Sequence, residues 1–226
     1  MTNRARTPIG LDICALRGDE YGDYARAYNL DLIDRRLGAV LDVGCARGMG
    51  ADSMRSRGAT RLCGVEIDPD YAAAARDRYD EVVTGSADED LPWGPQAFDT
   101  ILCYDVLEHT YDPWSILRYL HRLLRPNGRL HLSLPNSRNI DFWRPLLFRG
   151  SFEYAPSGLR DVTHVRFFTR RDGVAMVEGA GLQVLRIDPT GESTWKRRVV
   201  MHVSGGRAVE FFAYQWVILS QPNSPS

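Results

Sequence analysis

The sequence has almost no lysine and no excess of charge of either sign. Its 226 residues include 28 Lys plus Arg and 29 Asp plus Glu, which gives a net charge of -1, and Lys196 is the only lysine. A balanced charge provides no electrostatic reason to expect nucleic acid or an anionic membrane surface as a partner. We therefore expect neither partner.

Paired cysteines and long apolar runs are also absent from the sequence. The four cysteines are scattered, with no CxxC spacing, at Cys14, Cys45, Cys63 and Cys103. This pattern indicates free thiols in a reducing compartment. The first ten residues, "MTNRARTPIG", contain no apolar signal core, and no run reaches the length of a membrane span. We expect a cytoplasmic protein without a membrane span.

Strand and helix patterns alternate along the chain, with no internal repeat and no linker. Seven segments read as strands: "AVLDVG", "RLCGVEI", "EVVTG", "FDTILCYD", "RLHLSLPN", "LQVLRID" and "FFAYQWVILSQ". This alternation predicts an α/β fold with a doubly wound, mostly parallel seven-stranded sheet. No helical pattern clearly separates the last two strands, so we expect them to form an antiparallel pair at one edge. The length favours a single domain over residues 1–226.

Helix boundaries are indicated by capping residues. Asp68 before Pro69 and Asp112 before Pro113 each place an N-cap ahead of a proline at the first helical position. A further amphipathic helix is predicted over residues 21–38, ending at Gly38.

Residues 137–168 are too long for a plain connection and too apolar for disorder. They predict an insertion after the fifth strand that acts as a cap or a substrate-binding segment. Its aromatic side chains suit either core packing or stacking against an acceptor. Residues 220–226 are expected to form a disordered tail.

The loop "VLDVGCARGMG" follows the first strand, where a parallel sheet binds its ligand. A phosphate-binding P-loop requires Lys and Ser or Thr after the last glycine, but Met49 and Gly50 follow Gly48. A dinucleotide loop requires a glycine where Ala46 stands, and its spacing differs by one residue. Neither ligand suits this loop well.

Two acidic residues favour a third ligand, S-adenosylmethionine, which carries a sulfonium and an ammonium group but no phosphate. Asp42 enters the loop, where a carboxylate suits a positively charged ligand. Glu66 lies about twenty residues further on, at the end of the second strand, where an acidic side chain accepts ribose hydroxyls. The segment "GSADEDLP" after the third strand offers polar groups to an adenine edge.

Four segments resemble the successive motifs of class I S-adenosylmethionine-dependent methyltransferases: "VLDVGCARG", "GVEIDP", "FDTILCYDVLEHTYDP" and "LLRPNGRLHLSLPN". The resemblance extends from Val40 to Ile187 and implies a Rossmann-like methyltransferase fold. A further run, "FEYAPSGLRDVTHVRFFTRR", is similar to a subgroup associated with bacterial glycosyltransferases and surface-polysaccharide genes.

By position, the resemblance assigns twelve residues to the cofactor: Asp42, Gly44, Cys45, Ala46, Gly48, Glu66, Ile67, Ser86, Ala87, Asp88, Tyr104 and Asp105. The family commonly has Asp where Ser86 stands, and Asp88 is the alternative adenine contact.

The candidate catalytic residues lie beyond the strand ends. His164 is predicted as a general base that Asp161 orients, and His109 is the second candidate. A structural role for His164 remains the alternative, because buried charged groups need partners.

The run "DVLEH" has a second interpretation. It resembles the E-x-x-E-H run of ubiquinone-biosynthesis O-methyltransferases, in which these side chains bind a divalent cation. Asp105, Glu108 and His109 would supply the ligands here. Because "LEH" also occurs in methyltransferases that use no metal, we expect S-adenosylmethionine as the cofactor and no metal, with a divalent cation as the alternative.

The sequence thus predicts an S-adenosylmethionine-dependent methyltransferase that O-methylates a sugar of a surface glycan or its precursor. A small phenolic or natural-product acceptor is the first alternative, and a non-catalytic cofactor-binding subunit of another enzyme is the second. The partner is a small-molecule or glycan acceptor, and a homodimer is compatible with the sequence.

Overall fold

The computed structural model describes residues 29–191, 202, 204 and 208–223. Cys14, Lys196 and residues 21–28 of the first predicted helix lie outside this part of the chain. Residues 29–31 are helical, but the helix does not continue to Gly38. Gly38 is instead the first residue of the first strand and has a φ of 67°. A Cβ added to this glycine would lie 2.5 Å from Oδ2 of Asp99.

Seven strands form one sheet in the order β3-β2-β1-β4-β5-β7-β6. Their bounds are β1 Gly38–Val43, β2 Ala59–Glu66, β3 Glu81–Thr84, β4 Phe98–Tyr104, β5 Leu124–Pro135, β6 Leu182–Thr190 and β7 Gln215–Pro222. The first five strands pair in parallel, and β7 runs antiparallel to both β5 and β6. The predicted α/β fold, with its antiparallel pair at one edge, is confirmed. The strand order reverses at β1 and β4, so these strands define the ligand-binding edge.

Six helices are named here in chain order: α1 Ala51–Ser56, α2 Pro69–Ala75, α3 Pro113–Leu123, α4 Ile140–Arg149, α5 Arg170–Gly179 and α6 Val209–Phe212. A single 3₁₀ turn covers Leu107–His109. Both predicted N-caps are confirmed, since Asp68 accepts from the N–H groups of Asp70 and Tyr71, and Asp112 accepts from that of Ser115. Among the described residues, no helix is both long and apolar enough to cross a membrane.

The C-terminal region differs from the prediction in two places. The segment predicted as one long strand begins with α6, and only Gln215–Pro222 is extended. Residues 220–222, expected in a disordered tail, belong to β7 because Ser220 pairs with Leu130 and Val184 on its two neighbours. Residues 224–226 lie outside the described part of the chain.

The fifth strand is buried on both faces. Strict alternation is typical of a strand with one exposed face, yet His131 and Ser133 are 1% and 0% exposed. The strand lies in the interior of the sheet, between β4 and β7, and its side chains are buried on both faces. The three described cysteines, Cys45, Cys63 and Cys103, are buried and are not joined to one another by disulfide bonds, as expected.

The predicted insertion, 137–168, contains α4 and a long irregular segment before α5. Phe142 is its buried centre and contacts the rings of Trp143, Phe152 and Phe167 edge to face. Part of the aromatic cluster therefore serves packing. Phe148 and Tyr154, in contrast, are 79% and 64% exposed.

Candidate active site

The loop after β1 adopts a left-handed path that small residues permit. Gly44, Ala46 and Gly48 have φ angles of 68°, 48° and 74°. The N–H groups of Gly44 and Cys45 both donate to the Val65 carbonyl, at 2.8 and 3.0 Å. These bonds hold the loop against the end of β2.

Glu66 holds this loop and the start of α2 with its two carboxylate oxygens. Oε2 accepts from the N–H of Ala46 at 2.8 Å, and Oε1 accepts from that of Asp68 at 3.0 Å. Each carboxylate oxygen can accept a second hydrogen bond, so Glu66 retains capacity for ribose hydroxyls. The next residue, Ile67, is 66% exposed, which leaves an apolar surface where an adenine ring would pack.

Asp42 lies beneath the loop. Its side chain is fully buried, and Oδ2 accepts a hydrogen bond of 2.6 Å from the hydroxyl of Tyr79. The sequence assigned Asp42 to the positive end of the cofactor, and it did not reveal Tyr79. The carboxylate thus has a structural partner from the chain that follows α2.

The three predicted adenine contacts in the segment after β3 differ in their exposure to solvent. Ala87 is buried, Ser86 is partly buried and Asp88 is exposed. The N–H of Gly85 donates to the Glu66 carbonyl at 2.9 Å, which brings this segment beside the end of β2. All three residues therefore lie near the same edge of the sheet as Glu66.

The end of β4 contains a strained residue. Asp105 follows the buried Tyr104 and has a φ of 56°, a conformation that is rare for residues other than glycine and is concentrated at functional sites. Its carboxylate accepts hydrogen bonds from the hydroxyl of Ser133, at 2.8 Å, and from the side-chain amide of Gln215. Strands β5 and β7 thus fix the orientation of Asp105.

Two histidines and a glutamate meet next to this residue. His164 Nε2 lies 3.9 Å from Glu108 Oε1, and both side chains are at most 2% exposed. The rings of His109 and His164 are 4.8 Å apart, edge to face. The N–H groups of Val165 and Arg166 donate to the Glu108 carbonyl at 2.9 and 3.0 Å. The insertion is therefore docked onto the turn that follows β4.

Asp161 does not orient His164 as predicted. Its Oδ1 accepts from the backbone N–H and the hydroxyl of Thr163, at 2.8 and 2.7 Å. The contact with His164 is through the backbone alone, from the His164 N–H to the Asp161 carbonyl at 3.1 Å. The Thr163 hydroxyl lies 2.8 Å from Nδ1 of His109. Asp161 is thus connected to His109 through the side chain of Thr163.

The alternative metal set of Asp105, Glu108 and His109 does not form one cluster. Among the described residues, the cluster that could hold an ion is Glu108, His109 and His164, each offering one ligand atom within 4.8 Å of the others. Asp105, which the D-x-x-E-H pattern requires, is not part of this cluster, and its Oδ1 accepts hydrogen bonds from Ser133 and Gln215. The residues of that pattern therefore do not fit one ion as a set.

Tyr214 is a further residue of this region that the sequence did not indicate. Burial raises the pKa of its hydroxyl, and the charges of Asp105 and Asp161 raise it further, while a backbone hydrogen bond at Leu159 acts in the opposite direction. The phenol therefore stays protonated at neutral pH between the strand end and the insertion. No local motif reveals such a residue, since it depends on the antiparallel placement of β7.

Known proteins share both the sequence pattern and the fold. Residues 19–187 match the family model described as a methyltransferase domain. A ubiquinone biosynthesis O-methyltransferase from Xanthomonas euvesicatoria is 31% identical over 185 residues, which cover 77% of this chain and 74% of that protein. One of the same name from Aeromonas salmonicida is 31% identical over 156 residues, covering 64% of this chain and 63% of that protein, less than two thirds of its length.

Among solved structures, a SAM-dependent methyltransferase from Archaeoglobus fulgidus superimposes with a TM-score of 0.68 at 17% identity, covering 88% of this chain and 93% of that chain. At that identity the likeness shows the fold. Together with the loop after β1 and Glu66, these matches define the class: the chain belongs to the class I S-adenosylmethionine-dependent methyltransferases. Its cofactor is S-adenosylmethionine.

Proposed function

We propose that the chain transfers the methyl group of S-adenosylmethionine to a hydroxyl of a small phenolic acceptor. Support for oxygen as the target comes from the relatives named O-methyltransferase. Those names contain ubiquinone, a quinone whose reduced ring is a phenol, so they favour the phenolic alternative over the sugar that the sequence placed first. The polysaccharide subgroup receives no support from these relatives.

One observation carries the proposal: His109 is partly exposed beside the buried Glu108–His164 pair, at the carboxyl end of β4. A general base must reach the acceptor hydroxyl. His164, with 2% of its side chain exposed, has little access to an acceptor. We therefore assign the base to His109 and a supporting role to His164.

The step itself is an in-line displacement. The acceptor oxygen forms a bond to the methyl carbon while the bond from that carbon to sulfur breaks, and S-adenosylhomocysteine leaves. His109 accepts the hydroxyl proton. In this proposal the insertion 137–168 covers the acceptor site, because the N–H groups of Val165 and Arg166 bond the Glu108 carbonyl.

The test measures S-adenosylhomocysteine release with a panel of catechols and phenolic acids and, in parallel, with free and nucleotide-linked sugars. We expect turnover with phenols and a loss of about 100-fold or more in kcat for His109→Asn. His121→Asn is the matched control, because His121 lies on α3 and bonds the Ala180 carbonyl. Turnover with sugars alone would overturn the phenolic assignment.

The same assay tests the metal. We infer that the reaction needs no divalent cation, because Asp105 lies outside the cluster of Glu108, His109 and His164, and His109 serves as the base in this proposal. Dialysis against EDTA is expected to leave kcat unchanged. A loss that added Mg²⁺ or Zn²⁺ restores would contradict this inference.

A further inference from the structure

Three groups form a continuous hydrogen-bonded chain that leads from the insertion to His109. Thr163 Oγ1 lies 2.7 Å from Oδ1 of Asp161 and 2.8 Å from Nδ1 of His109. The Thr163 carbonyl oxygen is 3.3 Å from the same nitrogen. His109 is 54 residues away in sequence from Thr163, so this chain joins two separate parts of the fold.

The directions of these hydrogen bonds follow from donor and acceptor chemistry. A carboxylate only accepts, so the single hydroxyl proton of Thr163 points to Asp161. The hydroxyl oxygen then accepts from His109, and the Thr163 carbonyl can only accept as well. Both contacts therefore require a proton on Nδ1 of His109. In the neutral ring the lone pair is then on Nε2.

Hydrogen bonds on both sides of Thr163 fix its position relative to the His109 ring. Asp161 is 4% exposed, and it also accepts from the backbone N–H of Thr163 at 2.8 Å. On the other side, Val165 and Arg166 bond the carbonyl of Glu108, the residue before His109. The distance between Thr163 and the His109 ring is thus fixed from both ends of the segment.

We propose that Thr163 is a positioning residue that holds His109 in the tautomer with the proton on Nδ1, so that Nε2 accepts the proton of the substrate hydroxyl. The inference rests on the proposed function, which assigns the base to His109. Asp161 acts through Thr163, since its charge fixes the hydroxyl proton. Partners that select a histidine tautomer in this way are common where a ring nitrogen has a chemical task.

Thr163→Val tests the proposal, because it removes the hydroxyl and keeps the branched shape. The direct readout is the ¹⁵N NMR spectrum of the His109 ring, in which protonated and bare nitrogens have distinct shifts, with His109→Asn identifying its signals. In the parent protein we expect Nδ1–H alone. In Thr163→Val we expect a substantial Nε2–H population and a fall in kcat of about tenfold or more at unchanged affinity for S-adenosylmethionine.

Thr163→Ser is the conservative control, since it restores the hydroxyl. It is expected to return the Nδ1–H tautomer and to bring kcat within about threefold of the parent. An unchanged tautomer in Thr163→Val, or a serine variant that behaves like the valine variant, would overturn the proposal. The NMR readout needs no acceptor, so a tautomer shift in a protein that methylates no phenol would retain the positioning role and reject the proposed function.

Discussion

The hydroxyl of Tyr79 donates a hydrogen bond of 2.6 Å to the buried carboxylate of Asp42. Tyr79 comes from the chain after α2, and Asp42 from the end of β1. The bond therefore links two consecutive strand–helix units beneath the cofactor loop. It also satisfies part of a carboxylate that has no contact with solvent.

Tyr79→Phe is expected to lower the free energy of unfolding by about 1–3 kcal/mol, because a buried carboxylate loses a donor. Urea denaturation measures the change, and isothermal titration then measures the affinity for S-adenosylmethionine. Tyr111→Phe is the control, since Tyr111 is 80% exposed. Equal stability of the two variants would show that the Tyr79 hydroxyl contributes nothing.

Glu66→Gln is expected to weaken S-adenosylmethionine binding by about 10- to 100-fold. The amide offers one acceptor oxygen where the carboxylate serves the N–H groups of both Ala46 and Asp68, and it adds a donor toward the ribose hydroxyls. Isothermal titration provides the measurement. Asp70→Asn removes an exposed carboxylate from the same turn and should bind like the parent; a matching loss in that variant would point to general electrostatics.

Gly48→Ala is expected to reduce both stability, by about 1–3 kcal/mol, and cofactor affinity. The φ of 74° disfavours a side chain, and an added Cβ would lie 3.0 Å from the Tyr79 ring and 3.1 Å from Cα of Ala75. Thermal unfolding and titration check the two effects. Gly179→Ala is the control, because a Cβ there meets nothing within 4 Å, and a neutral or slightly stabilising change is expected.

The stability of the fold is expected to decline between pH 7 and pH 5 because of His131. Burial, with Arg186 as the next cause, lowers the pKa of this side chain from 6.5 to about 3. The unfolded chain gains a proton as the pH falls below 6.5, whereas the folded chain stays neutral at this site until about pH 3. One such group removes about 2 kcal/mol of stability over that interval.

His131→Gln cancels this contribution and should flatten the dependence of the unfolding free energy on pH, measured by urea denaturation at pH 7, 6 and 5. His121→Gln, which removes a histidine from α3, should retain the slope of the parent. Parallel slopes for the parent and His131→Gln would contradict the buried neutral state.

Local sequence was sufficient to predict the α/β fold, the mostly parallel sheet and its antiparallel edge pair. The loop of Gly44 to Gly48 and the position of Glu66 follow from residues that are close in sequence to a strand end. The partners Tyr79, Gln215 and Thr163 were not predicted, because each reaches its target from 37 to 110 residues away. Their placement depends on tertiary contacts that no periodicity encodes.

The pairing of Asp161 with His164 failed as a prediction for a related reason. The two residues are three apart in sequence, and that proximity suggested a side-chain contact. The turn between them instead aims the Asp161 carboxylate at Thr163 and leaves His164 to Glu108. The short separation in sequence thus indicated the wrong side-chain partner for Asp161.

The insertion of β7 between β5 and β6 has a consequence for synthesis on the ribosome. Gln215, which begins that strand, donates a hydrogen bond to Asp105, the residue that follows β4. The strands β1 to β6 are synthesised before β7, which lies between β5 and β6 in the sheet. Until β7 has been made, β6 therefore cannot join the sheet in its final position. The edge that contains Asp105 is therefore completed only after β7 has been synthesised, and a chain that stalls before Gln215 lacks the Gln215–Asp105 bond.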